Sequence, residues 1–158
     1  MTWFDILKVM QIMDDNQLKN NLPNFQTSQE KGYPSILDNL TFVVELAEDG
    51  KVMSYTSFME FDKFFFVGNG YTVPEFRGSN TWRDLISMRD TILRNRIHYE
   101  QKPRITLLNP QEDTEISRLH SIVIGRGWRE VKSYDDVKDI MDEQKYNQLS
   151  ILPMYRSG

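Results

Sequence analysis

Tyr71-Thr-Val-Pro-Glu-Phe-Arg-Gly-Ser-Asn-Thr-Trp-Arg83 is the stretch that decides the fold of this chain. It begins as the end of a β-strand, turns, and leads into an amphipathic helical pattern that runs to His98. Ser79 or Asn80 can cap this helix, because each side-chain oxygen can accept a backbone N–H. A β-to-α turn with Arg77-Gly78 at its centre brings backbone N–H groups together, so it predicts a site for an anion.

Three strands are predicted before this junction, and they form a meander. They cover residues 41–47, 52–61 and 64–73. Glu48-Asp-Gly-Lys51 is typical of a tight hairpin between the first two strands. The third is apolar on both faces and is therefore predicted to be central. Gly68 and Gly70 inside it indicate a bulge, or a close approach by another backbone or a ligand.

Strands and helices alternate after the junction. Strands are predicted over 104–108, 128–134 and 148–155, and helices over 114–124 and 135–145. The first of these helices has an apolar stripe that includes Ile122, and Gly125 stops it. The fold class that follows is α+β, with a mixed, mostly antiparallel sheet of about six strands flanked by helices.

The N-terminal part of the chain is predicted to be a helix followed by a long loop. Thr2 can cap the helix, and apolar residues recur at helical spacing, so we expect a helix over residues 2–13. This helix packs on the domain or docks into the groove of a protein partner. Residues 14–39 are rich in turn formers and are expected to form a loop with at most a short helical turn. We expect one domain, 1–158, in which 1–39 form this helix and loop and 40–158 form the sheet and helices.

Composition excludes several classes of site. The 158 residues contain no cysteine, and the two histidines, His98 and His120, are too few for a zinc site. The net charge of −4 does not favour nucleic acid as a partner, and no apolar run is long enough for a membrane span. A nucleic-acid site is therefore the least favoured interpretation, and it would use Arg89, Arg94, Arg96, Lys102 and Arg104. We expect a cytoplasmic protein that binds neither metal nor membrane.

The order of elements, with Val73-Pro-Glu-Phe-Arg-Gly78 at the first β-to-α junction, resembles the GNAT superfamily of acyl-CoA-dependent N-acyltransferases over residues 41–134. In that family the motif Arg/Gln-x-x-Gly-x-Gly/Ala holds the coenzyme A pyrophosphate with its backbone amides, and the preceding strand is splayed so that pantetheine can pair with it. The resemblance therefore implies acetyl-CoA as the cofactor. The implied cofactor-binding residues are Val73, Arg77, Gly78, Ser79, Asn80, Thr81, Trp82 and Arg83.

The chain departs from the family pattern at three positions. Asn80 and Trp82 stand where the motif has small residues, and the Trp82 ring would occupy phosphate space unless it points into the core. Family members also carry a tyrosine five residues before the aromatic residue that corresponds to Trp128. That position is Val123, which has no proton to donate.

Acyl transfer needs a deprotonated amine near the thioester carbonyl and an amide that points at the developing oxyanion. Glu60, at the end of the second strand, and Glu75, after the third, are candidate bases, and Tyr71 is a candidate proton donor. Each also has a structural interpretation: exposed turn carboxylates for the two glutamates and a packed strand residue for the tyrosine.

Two functions remain open from the sequence. The first is an acetyl-CoA-dependent N-acyltransferase that acts on an amine of a protein or a small molecule. The second is a catalytically inactive GNAT-fold binding or structural protein, which the three departures favour. The opening segment Thr2-Trp-Phe-Asp-Ile-Leu-Lys8 and the Arg77-Gly78-Ser79 turn resemble GNAT-fold proteins of tailed bacteriophages, whose location would be the host cytoplasm or the virion.

Overall fold

A computed structural model of the chain describes residues 10–68, 70–77, 81–96, 102–109 and 115–158. Within these ranges one sheet of eight strands has the order β1-β2-β3-β4-β6-β8-β7, and β5 pairs with β3. Every pair of strands is antiparallel except β4 and β6. The strands are β1 (Met10–Met13), β2 (Thr41–Leu46), β3 (Val52–Glu60), β4 (Phe65–Val67), β5 (Tyr71–Thr72), β6 (Arg104–Leu107), β7 (Arg129–Glu130) and β8 (Met154–Ser157).

Helices lie along both faces of this sheet. They are α1 (Asp15–Asn21), α2 (Thr81–Arg94), α3 (Glu115–Gly125) and α4 (Glu143–Leu149), and 3-10 turns cover Ser35–Leu37, Pro74–Phe76 and Tyr134–Asp136. None of the helices in the described ranges is long and apolar enough to cross a membrane. The predicted α+β class with a mostly antiparallel sheet is confirmed. The sheet has two strands more than expected, because residues 10–13 form a strand and the third predicted strand divides into β4 and β5.

The central strand separates two hydrophobic clusters. Phe64 and Phe66 point into the larger cluster, which includes Leu18 of α1 and Leu149 of α4. Their neighbours in sequence, Phe65 and Val67, point into the second cluster, which includes Leu85 of α2. The three phenylalanines are fully buried, because successive side chains of a strand face opposite sides and both sides are covered. The prediction of a central strand is confirmed.

The prediction of a helix over residues 2–13 is wrong at its C-terminal end. Residues 10–13 form β1, which pairs with β2 from Met10↔Glu45 to Met13↔Phe42. The side chains alternate as in a strand, since Met13 is buried and Ile12 is 54% exposed. Pairing with a neighbouring strand overrides the helical spacing of the apolar residues. Residues 1–9 of the predicted helix lie outside the described ranges.

The expected loop over 14–39 contains a regular helix. Asp14 caps α1 by accepting a hydrogen bond from the backbone N–H of Gln17 at 2.8 Å, and the Gln17 side chain accepts one from the Asp14 N–H at 3.0 Å. This reciprocal capping box satisfies two N–H groups that the first turn of a helix leaves unpaired. Leu18 is then buried against the sheet and fixes the helix in place.

Four predictions for the chain after β6 are also wrong. The strand expected over 128–134 is confined to β7, and the helix expected over 135–145 is a 3-10 turn followed by α4. The strand expected over 148–155 begins only at Met154, because the chain is still helical to Leu149 in α4. The Asp142 side chain caps the start of this helix by accepting from the Lys145 N–H at 2.7 Å. Ile122, expected in the buried stripe of α3, is 41% exposed.

Candidate functional site

The central strand and β6 separate after a short parallel contact. They pair only through Phe65↔Arg104 and Phe66↔Ile105 within the described residues. Beyond this contact the chain continues into β5, which stays on β3 through Tyr55↔Tyr71, whereas β6 continues along β8. The two strands therefore diverge, and we call the gap between them the splay.

Side chains satisfy the backbone carbonyls that lose their strand partner at the splay. The Val67 carbonyl accepts a hydrogen bond from the Thr106 hydroxyl at 2.7 Å. The Gly68 carbonyl accepts from the Thr56 hydroxyl and from Arg89 Nη1, each at 3.3 Å. Buried carbonyls without partners would be costly, so these donors stabilise the separated strands without a ligand.

Arg89, on α2, is a buried cation at the back of the splay. It is 6% exposed, donates to the Thr56 hydroxyl at 3.0 Å, and lies 3.4 Å from a carboxylate oxygen of Asp90. A guanidinium in this position fixes the end of the central strand against β3, because it donates both to Thr56 and to the Gly68 carbonyl. It also corrects the nucleic-acid hypothesis at this residue, since a buried side chain cannot reach a phosphate backbone.

Gly68 stands where the central strand approaches β3 most closely. A Cβ atom on Gly68 would lie 1.9 Å from the Ser57 hydroxyl oxygen, and the Gly68 N–H donates to the Ser57 carbonyl at 2.7 Å. No other residue type fits this contact without movement. Of the alternatives predicted for Gly68, the structure shows a close approach to Ser57 of β3, chiefly to its side chain.

A cavity of about 620 Å³ opens at the splay. Gly70, Tyr71 and Val73 line it from the β5 side, and Asn109 lines it from the end of β6. The other walls come from β2, β3 and the loop after α1, and include Phe25, Lys31, Tyr33, Phe42, Tyr55 and Ser57. Its size lies within the range of pockets that hold a small molecule or a protein side chain.

Lys31 is the basic residue among the described residues that line this cavity. Its Nζ atom donates to the Tyr55 hydroxyl at 2.6 Å and lies 4.4 Å from the centre of the Phe25 ring and 4.6 Å from that of Tyr55. Burial lowers the pKa of Lys31 from 10.5 to about 8, because these rings replace water around the ammonium, while Asp15 opposes the shift. The Lys31 carbonyl accepts a hydrogen bond from the Asn109 side-chain amide, which ties the loop to the end of β6.

Tyr55 sits on an aromatic floor. Its ring lies 5.5 Å from the rings of both Phe42 and Tyr71 and 5.7 Å from that of Phe25. Burial raises the pKa of the Tyr55 hydroxyl, so this group remains protonated at neutral pH. Sequence reasoning missed both Lys31 and Tyr55. The local signal was limited to Lys31 beside a turn-forming Gly32 and to one aromatic residue in a strand.

The structure brings two of the three predicted catalytic residues to the cavity. Tyr71 lines it with 39% of its surface exposed, and Glu75 lines it from the 3-10 turn after β5. Glu60 lies at the other end of β3, where it pairs with Phe65 of β4 and accepts a hydrogen bond from Lys102 Nζ at 2.9 Å. The structure therefore separates Glu60 from the cavity.

The predicted cofactor-binding residues begin at the cavity with Val73 and continue along the sequence to Arg83. Val73 lines the cavity, and Arg77 donates from Nε to the Thr72 carbonyl at 3.0 Å, with its guanidinium 5.7 Å from the Tyr71 ring. Arg83 is exposed in the first turn of α2. Gly78, Ser79 and Asn80 lie outside the described residues. Thr81 and Trp82 begin α2, but their side chains also lie outside the described part, and with them the direction of the indole ring.

The remaining candidate positions lie on α3 and near it. Val123 is half-buried on α3, so an apolar side chain occupies the position of the family tyrosine. Trp128 is half-buried just after this helix, with the Arg104 guanidinium 5.5 Å from its ring. His120 Nδ1 lies 2.6 Å from the hydroxyl of the buried Tyr155, while His98 lies outside the described residues.

Comparison with known proteins finds similarity in structure alone. Neither a protein-family profile nor a curated protein matches the sequence. An acetyltransferase from Streptococcus agalactiae 2603 is 16% identical, with a TM-score of 0.53 over 95% of this chain and 98% of its own. An acetyltransferase of the GNAT family from Staphylococcus aureus Mu50 is 12% identical, with a TM-score of 0.53 over 93% of this chain and 97% of its own.

A third structure was solved with coenzyme bound. It is N-acetylglutamate synthase from Neisseria gonorrhoeae, complexed with coenzyme A and N-acetyl-glutamate, and it is 7% identical with a TM-score of 0.56 over 93% of this chain. The present chain spans 34% of that protein. At such identities the likeness concerns architecture, and this chain has the fold of the GNAT acetyltransferases.

Proposed function

We propose that this protein is an acyl-CoA-dependent N-acyltransferase that transfers an acetyl group to an amine of a protein or a small molecule. The observation that carries the proposal is the splay, where the central strand leaves β6 after two residue pairs and opens a cavity. Buried side chains hold its freed carbonyls, so the gap is a built feature of the fold. An extended pantetheine arm matches such a gap, because it offers amide groups that can pair with strand edges.

The coenzyme phosphates would lie at the start of α2. The turn from Val73 to Arg83 leads into this helix, and a helix N-terminus attracts anions through its unpaired N–H groups and its dipole. Arg77 and Arg83 are exposed on either side of the turn, and an Arg fork matches two phosphate oxygens. In this arrangement the thioester would reach the cavity through the splay.

The amine would bind on the cavity side. Five aromatic rings line the cavity, and Glu75 is the acidic residue among the described residues that line it. An aromatic surface holds an amine by cation–π attraction and by burial of its apolar part. The acceptor expected for this site is therefore a primary amine with a flat or apolar body.

Calorimetric titration with acetyl-CoA tests the proposal. Wild-type protein should bind with a dissociation constant in the micromolar range, and Arg77→Ala should weaken binding about tenfold or more through loss of a phosphate contact. Arg94→Ala, an exposed substitution at the far end of α2, is the matched control and should bind like wild type. Absence of binding at millimolar acetyl-CoA would refute the proposal.

One observation favours a second function, that of an inactive GNAT-fold binding or structural protein, for instance a phage virion component. Val123 offers no hydroxyl at the position of the family's proton donor. Such a protein would either bind the coenzyme without turnover or not bind it at all. In both cases it would not release free coenzyme A from acetyl-CoA in the presence of amines. Turnover with any amine that Arg77→Ala abolishes would exclude this alternative.

A further inference from the structure

Lys31 and Tyr55 form a pair that the established features of the fold do not explain. A lysine whose only task was to keep the surface hydrated would extend into water, because burying an ammonium is costly. Here the Lys31 side chain instead turns onto two aromatic rings and donates to the Tyr55 hydroxyl at 2.6 Å. Both residues line the cavity, so the pair faces the space where an acceptor would bind.

The loop holds the pair against the splay. Asn109, at the end of β6, donates to the Lys31 carbonyl, and Tyr55 is the register partner of Tyr71 on β5. The two arms of the splay thus each hold one member of the pair. A thioester that passes between these arms would arrive next to both.

We infer that Lys31 and Tyr55 are the proton-transfer pair of the acyl transfer, with Lys31 accepting the proton of the attacking amine and Tyr55 protonating the departing thiolate. This inference rests on the proposed acyltransferase function. It assigns both the acid and the base role to residues of this cavity. Val123 has no proton to donate, and Glu60 lies away from the cavity.

The step balances without any further reagent. The amine nitrogen forms a C–N bond to the thioester carbonyl carbon, and its surplus proton passes to the neutral Lys31 amine. The C–S bond then breaks with its electron pair on sulfur, which takes the Tyr55 hydroxyl proton. The Lys31 ammonium finally returns a proton to the Tyr55 oxygen along their hydrogen bond, so the protein ends as it began.

The environment of Lys31 suits the role of a base. A base works best when its pKa lies near the operating pH, and the pKa of about 8 leaves a substantial neutral fraction of Lys31 under mildly alkaline conditions. The groups that face the pair are Asp15 from α1, Tyr33 from the loop, Tyr71 from β5 and Glu75 from the 3-10 turn. Asp15 favours the charged form of Lys31, whereas burial disfavours it more strongly.

The test is the pH profile of acetyl transfer from acetyl-CoA to O-benzylhydroxylamine, followed by release of free thiol. This aromatic nucleophile is unprotonated throughout the range from about pH 6 to 10, so any inflection near pH 8 belongs to the protein. Wild type should lose rate below that inflection. Lys31→Met should lower kcat/KM about 100-fold or more and remove the inflection, and Tyr55→Phe should lower kcat about tenfold or more.

Three controls separate chemistry from folding. Lys19→Met, an exposed substitution on α1, should leave rate and profile unchanged. The two cavity variants should bind acetyl-CoA with wild-type affinity, and added imidazole should restore part of the activity of Lys31→Ala as an external base. Restoration by imidazole is not expected of a lysine with a merely structural role.

The outcomes are distinct for the two proposals. Failure of wild type to bind acetyl-CoA would overturn the acyltransferase function, and the pair with it. Normal binding together with full activity of Lys31→Met, or a profile in which the inflection persists in that variant, would overturn the pair alone. Acetyl-CoA binding with no transfer to the probe at any pH would also overturn the pair.

Discussion

Replacing Gly68 by alanine tests whether the position of the central strand against β3 depends on the space beside the Ser57 side chain. The added Cβ would lie 1.9 Å from the Ser57 hydroxyl oxygen, against the separation of about 3.5 Å at which such atoms begin to attract. The Ser57 hydroxyl can rotate away, but the Ser57 Cβ at 3.3 Å and carbonyl oxygen at 3.5 Å remain. The substitution therefore overfills a buried site.

The cost can be worked from known magnitudes. Overfilling a packed site destabilises by about 1–3 kcal/mol, and alanine restores about 0.4–1 kcal/mol by restricting the unfolded chain, since Gly68 is not among the positive-φ glycines. The expected net loss is about 1–2 kcal/mol in the free energy of unfolding. For a chain of this size that loss lowers the melting temperature by about 2–8 °C.

Urea unfolding of a double-mutant cycle measures the contact itself. Ser57→Ala removes the atom that the new methyl group meets first, so Gly68→Ala should cost about 1 kcal/mol less in that background. Gly125→Ala is the control, because nothing lies within 4 Å of the place that its new methyl group would take at the end of α3, and it should be neutral or slightly stabilising. If the effects of Gly68→Ala and Ser57→Ala add within about 0.3 kcal/mol, the reasoning about this contact is refuted.

Three further substitutions give independent checks by chemical unfolding. Between about pH 8 and 10.5 the folded state of wild type binds fewer protons at Lys31 than the unfolded state, so the free energy of unfolding should rise across this window. Lys31→Met should flatten this rise and increase the free energy of unfolding by about 1–2 kcal/mol at pH 7, after allowance for screening. A loss of stability at pH 7 would contradict this reasoning. Arg89→Met should cost about 2–4 kcal/mol, because it removes a buried donor from the Gly68 carbonyl. Arg89→Lys keeps a charged donor and should cost less, and equal losses from the two substitutions would count against a role for the buried donor. The hydrogen bonds from Arg156 at 2.7 and 2.8 Å lower the pKa of Asp139, so Asp139→Asn should lower the free energy of unfolding by less than about 1 kcal/mol at pH 7. The difference in stability between wild type and this variant should vanish as pH falls through the lowered pKa. A difference that persists in acid would refute the prediction.

The elements that sequence predicted well are those with short-range signals. The meander could be predicted because Asp49-Gly50 marks a tight turn and because residues 64–67 are apolar on both faces. The capping box at Asp14 and Gln17 was also readable from the spacing of the two residues, and its helix could have been found. Residues 10–13 could not, because a short edge strand is specified by its partner strand, β2, far along the chain rather than by its own spacing.

The candidate site also contains some residues with a short-range sequence signal and others without one. Tyr71, Val73 and Glu75 were found because they follow the central strand directly, where a turn and a helix start are visible in the sequence. Lys31 and Tyr55 are 24 positions apart and meet only after the loop folds over the sheet. No local spacing encodes that meeting, and a lysine in a polar loop has the pattern of a surface residue.

The two-pair contact between β4 and β6 has a mechanical consequence. We call this contact the seam of the sheet, because β1 to β5 lie on one side of it and β6 to β8 on the other. The strands on each side are joined to one another by hydrogen bonds. A ligand that pairs with both edges of the gap would act as an additional rung across the seam and couple the two sides. By reciprocity, a substitution that loosens the seam weakens ligand binding by up to the free energy with which the ligand tightens the seam, even where the substituted residue never touches the ligand.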